Sequence, residues 1–244
     1  MFTKKKQFVP FGNSYIQCFA NVGKFFVILQ NYFKKKCVMR QLFNFSILLV
    51  AFLAFFSCQK EELYSIMPKD CDLRPGDVVF RLGNSLESSA VIIADRDGSY
   101  SHCGIVVDSA GSIRIVHSVP DEPDFDGDVD RVKMDRPEMF WRIDRAAAGA
   151  VCRMQDSLAA KKASEVAKKA FERHTLFDDE YDDKDTTKLY CSELVYYSYK
   201  RAGYDLVGPE RHTYDLFFVS YDSCIMPSQI YNSKYVKPVR LFTK

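Results

Sequence analysis

The stretch SHCGIVVDSAGSIRIVHSVP, Ser101 to Pro120, constrains the fold more than any other part of the chain. Two apolar runs rich in Ile and Val flank Asp108-Ser109-Ala110-Gly111-Ser112, an order that predicts an antiparallel hairpin. In a hairpin centred near Ala110 the far ends of the strands meet. His102, which opens the first run, and His117, which closes the second, therefore come within about a pair of facing each other. Strand alternation places His102, Gly104 and Val106 on one face and Cys103, Ile105 and Val107 on the other. Gly104 is expected to leave room for a substrate or a helix terminus. Cys103 is expected to stay out of any site containing His102, so His102, His117 and Cys191 are the most that could converge on a metal, and no metal site is expected.

Around the hairpin, DLRPGDVVFRLG predicts a Pro-Gly turn and a strand over Asp77–Leu82. Ser85–Asp95 reads as a short Ser-capped helix, with a strand as the alternative its β-branched residues allow, and Asp121–Asp130 as an acidic surface loop. Strands are predicted at Met139–Ile143 and Ala150–Met154. The helix over Ser157–His174 has a Ser cap and an apolar stripe of Leu158, Val166, Ala170 and Phe171. A second helix runs from Cys191 to Ala202 and is stopped by Gly203. Strands and helices segregate in an α+β manner.

Residues 1–58 stand apart, with eight Lys and Arg and no Asp or Glu. Within them MRQLFNFSILLVAFLAFFSCQKEE has a positive start, an apolar run from Leu42 to Phe56 and a Ser57-Cys58 end, the layout of a secretory signal. The cysteine after the run resembles a bacterial lipoprotein signal, which implies lipidation of Cys58 and a membrane anchor in the cell envelope; the alternative is an uncleaved signal anchor that ends by chance in a cysteine. The expected organisation is a doubtful extension over 1–38, a signal peptide over 39–58, a tether over 59–70 and one domain over 71–244. Removing eight of the 34 basic residues leaves 26 against 32 acidic, a formal charge of −6, which argues against a nucleic-acid partner. Five cysteines remain (Cys71, Cys103, Cys152, Cys191, Cys224). None has C-x-x-C spacing, and the odd number leaves at least one thiol free.

KLYCSELVYY sets Cys191 at the start of a helix, where unpaired N–H groups and the positive end of the dipole favour a thiolate and can receive an oxyanion. A cysteine nucleophile also needs a base and a group that fixes the base. The paired histidines of the hairpin supply both. His174 at a helix end and His212 in a loop are assigned no role. Tyr190 is a substrate-binding candidate through its hydroxyl, with packing under the helix start as the alternative. Asp77, in the Gly76-Asp77 turn, is the other. The acidic cluster from Asp178 to Asp185 lacks calcium-loop spacing and is read as a solvated rim of the cleft.

LRPGDVVFR, SHCGIVV and LYCSELVYYSYKRAG, in this order, resemble the circularly permuted papain-fold amidases of the YaeF/YiiX type, relatives of NlpC-type cell-wall peptidases. The resemblance covers most of residues 72–205. It implies a permuted papain-like fold, an antiparallel sheet or small barrel packed against helices, with no cofactor. It further implies Cys191 as nucleophile, His102 as general base and an orienting residue at His117. That position usually carries a carboxylate in this family. A histidine there looks more like NlpC peptidases and lecithin retinol acyltransferases. The expected activity is a cell-envelope cysteine hydrolase cleaving an amide bond, with peptidoglycan stem peptides as substrate. The alternatives are a lipid-directed acyltransferase or thioesterase, with an apolar cleft, and a non-catalytic binding lipoprotein.

Overall fold

The computed structural model describes residues 63–96, 98–209, 212–216 and 219–244, the side chains of 212–223 excepted. The extension over 1–38, the signal over 39–58 and its Cys58 lie outside these residues. The elements in chain order are β1 (Val78–Leu82), α1 (Leu86–Ala94), β2 (His102–Ser109), β3 (Ser112–Val119), β4 (Arg131–Asp135), α2 (Pro137–Phe140), β5 (Ala148–Met154), α3 (Ser157–Glu172), α4 (Cys191–Arg201), β6 (His212–Leu216), β7 (Val219–Cys224), α5 (Pro227–Tyr231) and β8 (Val236–Thr243).

Six strands form one sheet in the order β4-β3-β2-β1-β5-β8, every neighbour antiparallel, and β6 pairs with β7. The fold is α+β, with an open sheet rather than a closed barrel. The hairpin is β2–β3, in the register Ile105↔Val116 to Ser109↔Ser112. That register sets His117 against Gly104, two residues along from His102. A Cβ on Gly104 would lie 2.8 Å from the Val116 carbonyl oxygen and 3.0 Å from the His117 Cβ. The glycine therefore makes room for β3 and His117, not for substrate, which corrects the sequence reading.

One sheet face packs against α3 and α4 through Val78, Phe80, Ile105, Val116, Ala163 and Leu194. The other buries Val79, Val106, Ile115 and Val151 under Phe140 and Trp141. Met139–Ile143 is not a strand. Pro137 opens the short helix α2, where its fixed φ fits and its missing N–H is no loss, after an extended Arg136. The strand in this region is β4, whose RVKMD alternation went unread. The proposed tether is anchored from its middle onward, since Ile66 N–H donates to the Trp141 carbonyl (2.9 Å) and Ile66 is buried.

Helix α3 is capped by Asp156, whose side chain accepts from Leu158 and Ala159 N–H, and not by Ser157. Its stripe also differs from expectation: Leu158 is exposed, while Ala160, Ala163, Ala167 and Ala170 are buried. Alanines let the helix backbone come close to the sheet margin. At Gly76 (φ +90°) an added Cβ would sit 2.3 Å from the Ala160 carbonyl oxygen, whereas Gly111 (φ +81°) has nothing within 4 Å.

The two glycines share a positive φ but not their surroundings. Gly111→Ala is expected to cost about 1 kcal/mol, the left-handed backbone term alone. Gly76→Ala adds overpacking against helix backbone and should cost about 3 kcal/mol or more. Urea titrations of both variants check the difference.

Candidate active site

Three contacts hold α4 and the residues that lead into it. Ser118 Oγ of β3 donates to the Leu189 carbonyl (2.6 Å), Ile225 N–H donates to the Tyr190 hydroxyl (2.7 Å), and Tyr199 Oη donates to the Gly76 carbonyl. Tyr190 is extended at the N-cap, and its N–H donates to Glu193 Oε2 three residues on (3.3 Å). Cys191, half-buried, is the first residue of the helix. It interacts with Cys103 and His102 and stands 3.7 Å from Ser192 Oγ.

The structure thus brings Cys191, His102 and His117 together. It also brings Cys103 to Cys191, contrary to the alternation argument. His102 and Cys103 do lie on opposite faces, but they begin the strand, and Cys191 stands at that end of the sheet and meets both. Cys103 is buried, which keeps its thiol protonated. Its hydrogen bond to Cys191, acting against burial and joined by His102 and Ser192, holds the Cys191 thiol well below the ordinary cysteine value.

Behind the cysteine runs a chain of hydrogen bonds. His102 Nε2 lies 2.9 Å from His117 Nδ1, and His117 Nε2 lies 3.3 Å from Asp135 Oδ2. The register accounts for it: Arg81 pairs with His102 across β1–β2, and β3–β4 pairs Ile115 with Asp135 and His117 with Lys133. Five polar side chains on four successive strands therefore share one face. Phe140 covers them, its ring 5.6 Å from His102, 5.1 Å from His117 and 5.0 Å from the Arg81 guanidinium.

Burial, then the neighbouring Arg81 charge, pushes His102 down to about 4, so at neutral pH the ring is uncharged. Burial alone would raise Asp135. The His117 hydrogen bond and the charges of Lys133 and Arg145 outweigh it and hold the carboxyl well below the usual carboxylate range. An ionised Asp135 can only accept, so it takes the His117 Nε2 proton, and His117 Nδ1 then accepts from His102 Nε2. Assigned from this network, the lone pair of His102 is at Nδ1, the nitrogen free for Cys191.

Two cavities meet at Cys191. One, of ≈ 100 Å³, is apolar and lined by Val91, Ala94, Ile225, Met226 and Pro227. The other, of ≈ 160 Å³, carries Arg81, Glu87, His102, Asp121 and Glu122. The Tyr190 ring borders both, with its hydroxyl committed to Ile225. Asp77 is not in the cleft: its buried carboxylate is bonded to Arg153 (2.8 Å) and the Arg74 N–H (2.9 Å), at the far end of β1 from Arg81. In the acidic cluster Asp178 is buried and accepts from Glu180 and Asp182 N–H, while Phe177 and Tyr181 line the cleft.

Sequence reading missed Asp135, Arg81 and Glu193. The RVKMD alternation signals a strand but leaves its charged face looking solvated, Arg81 reads as an ordinary strand charge, and nothing local marks Glu193 as buried. Both nitrogens of His117 and Nε2 of His102 are engaged within the chain. Among the described residues no three His, Cys, Asp or Glu side chains are grouped to hold a metal ion. All five cysteines of the domain are free thiols.

No protein-family model matches the chain, and no curated protein does either. Among solved structures, the crystal structure of the metalloprotein yiiX from Escherichia coli O157:H7 aligns with a TM-score of 0.55 at 19% identity, covering 70% of this chain and 98% of that one. The two chains share a fold. The described donor set does not reproduce a metal centre.

Glu193 supplies a test of the helix start. Burial, with the charges of Asp178, Asp183 and Asp185, raises its carboxyl to about 9 from an ordinary 4.5, and its Oε1 has no hydrogen-bond partner among the described residues. The folded state keeps a proton that the unfolded chain releases, so this group's contribution to stability is fully present below pH 4.5 and is lost, by up to about 1.4 kcal/mol per pH unit, as pH rises to about 9. Glu193→Gln retains the acceptor for Tyr190 and should flatten that slope and raise the melting temperature at pH 7. Thermal melts from pH 5 to 9 check it; an unchanged slope would show that Glu193 is ionised in the fold.

Proposed function

We propose that the protein is a cysteine hydrolase with a circularly permuted papain-like fold, cleaving an amide bond through a cysteinyl acyl-enzyme. The chain His102, His117, Asp135 beside Cys191 carries this reading. Cys191 Sγ attacks the scissile carbonyl carbon as its proton passes to His102 Nδ1, and the oxyanion falls to N–H groups at the start of α4. The C–N bond then breaks and His102 returns the proton to the leaving amine. A water, deprotonated by His102, hydrolyses the thioester and releases the carboxylic acid. His117 orients His102 and is in turn oriented by Asp135.

The finer identity extends the same proposal: an envelope lipoprotein anchored through Cys58, acting on peptide amides such as those of peptidoglycan stems. The apolar cavity at Cys191 favours a second reading, an acyltransferase or thioesterase using the same residues.

The pH dependence of Cys191 alkylation by iodoacetamide tests the core of the proposal. The thiolate should titrate well below the free-cysteine value of about 8.5. His102→Ala should move the midpoint up toward that value and cost roughly 10²–10⁴-fold in turnover. Asp135→Asn should give a smaller loss with a displaced midpoint. A free-cysteine midpoint that ignores His102→Ala would leave only the binding-lipoprotein reading.

A further inference from the structure

The two cavities that meet at Cys191 differ in chemistry, and the difference bears on which half of a substrate enters each. His102 borders only the polar one. On the hydrolase reading, on which this inference rests, the leaving amine must take its proton from His102. The amine therefore lies on the His102 side, and the acyl half extends the other way, over the first residues of α4 into the apolar cavity. The walls there come from three separate segments: Val91 and Ala94 of α1, Ile225 and Met226 after β7, and Pro227 at the start of α5.

Size limits what fits. An apolar cavity of about 150 Å³ takes a benzene ring, so ≈ 100 Å³ suits three or four aliphatic carbons. A phenyl group or a long fatty chain exceeds it, and a charged group would be stripped of water with no partner. The Arg81 guanidinium, by contrast, is buried on the amine side, where its Nε has no hydrogen-bond partner among the described residues.

We propose that the cleft sorts its substrate by polarity, seating a short branched aliphatic side chain of the acyl residue in the apolar cavity and a polar, amine-bearing leaving group on the His102 side. Selectivity at the acyl residue is then set by Val91, Ala94, Ile225 and Met226, none of which touches the reacting atoms.

The test uses N-acetyl aminoacyl chloromethyl ketones with Gly, Leu or Phe at the reactive residue, and an octanoyl analogue, on the purified protein. Labelling of Cys191 is followed by intact mass. Each rate is divided by that of iodoacetamide on the same preparation, which reads the thiol alone. The Leu reagent should exceed Gly by about 10-fold or more, the range expected for burying such a side chain, and should exceed both Phe and octanoyl. Val91→Trp, which narrows the cavity, should abolish the Leu preference, and Met226→Ala, which widens it, should move the optimum to Phe. Equal ratios for Gly, Leu and Phe on a thiol with a depressed midpoint would overturn the cavity assignment while leaving the hydrolase reading intact. A fastest octanoyl reagent would overturn it in favour of acyl transfer. A thiol with an ordinary midpoint would remove the hydrolase reading and this inference together.

Discussion

A hydrogen bond between two buried imidazoles, His102 Nε2 to His117 Nδ1 at 2.9 Å, organises this molecule. Each ring can serve as donor or acceptor, so the bond alone does not decide where the protons lie. Asp135 decides it, because an ionised carboxylate only accepts. The hairpin register sets the two rings diagonally on one face, and Gly104 clears the space that β3 needs to bring His117 in. A one-residue slip of β3 against β2 would send His117 to the helix-covered face and break the pair.

Burying such a row has an electrostatic condition. Arg81 and Lys133 are 4% and 2% exposed, and charges that deep must be matched. Glu122 pairs with Arg81 and Arg145, Asp135 with Arg145, and Asp124 with Lys133 (2.7 Å). Three cations face three carboxylates, so the charges around the two histidines balance. Two of those carboxylates belong to the segment Asp121–Asp130. Its composition reads as a solvated loop, and most of it is exposed, but Glu122 turns inward and the exposed Asp124 reaches Lys133 to close the cluster.

The hairpin, the first strand and the two long helices were legible because each has a strong local period and its own stop signal. The histidine pairing was legible for the same reason, since hairpin register follows from the turn. What could not be read came from tertiary context. RVKMD alternates like a strand, but its charged face looks solvent-exposed until three strands and Phe140 are set beside it. Residues after Ala202 carry weak periodicity, yet β8 pairs along β5 and Ile225–Pro227 walls the cleft. The stripe on α3 was misread because alanines, not the larger Leu158, face the sheet where helix and strand backbones approach most closely.

A histidine in the orienting position supports a neighbouring imidazolium less well than a carboxylate would. Asp135 changes that comparison. The carboxylate is present, one ring further away, and His117 transmits its preference by fixing a tautomer and not by Coulomb attraction alone. On the proposed reading the cost of distance is offset by direction: His102 arrives neutral, with its lone pair at Nδ1, as the base for a thiol whose anion Cys103 already favours. Arg81, opposite His102 in the sheet, disfavours a charged ring at rest, so the imidazolium is a transient species that returns its proton readily to the leaving amine. A thiol that releases its proton readily on attack and a base that passes that proton on easily are compatible demands, and the register of β1 to β4 meets both.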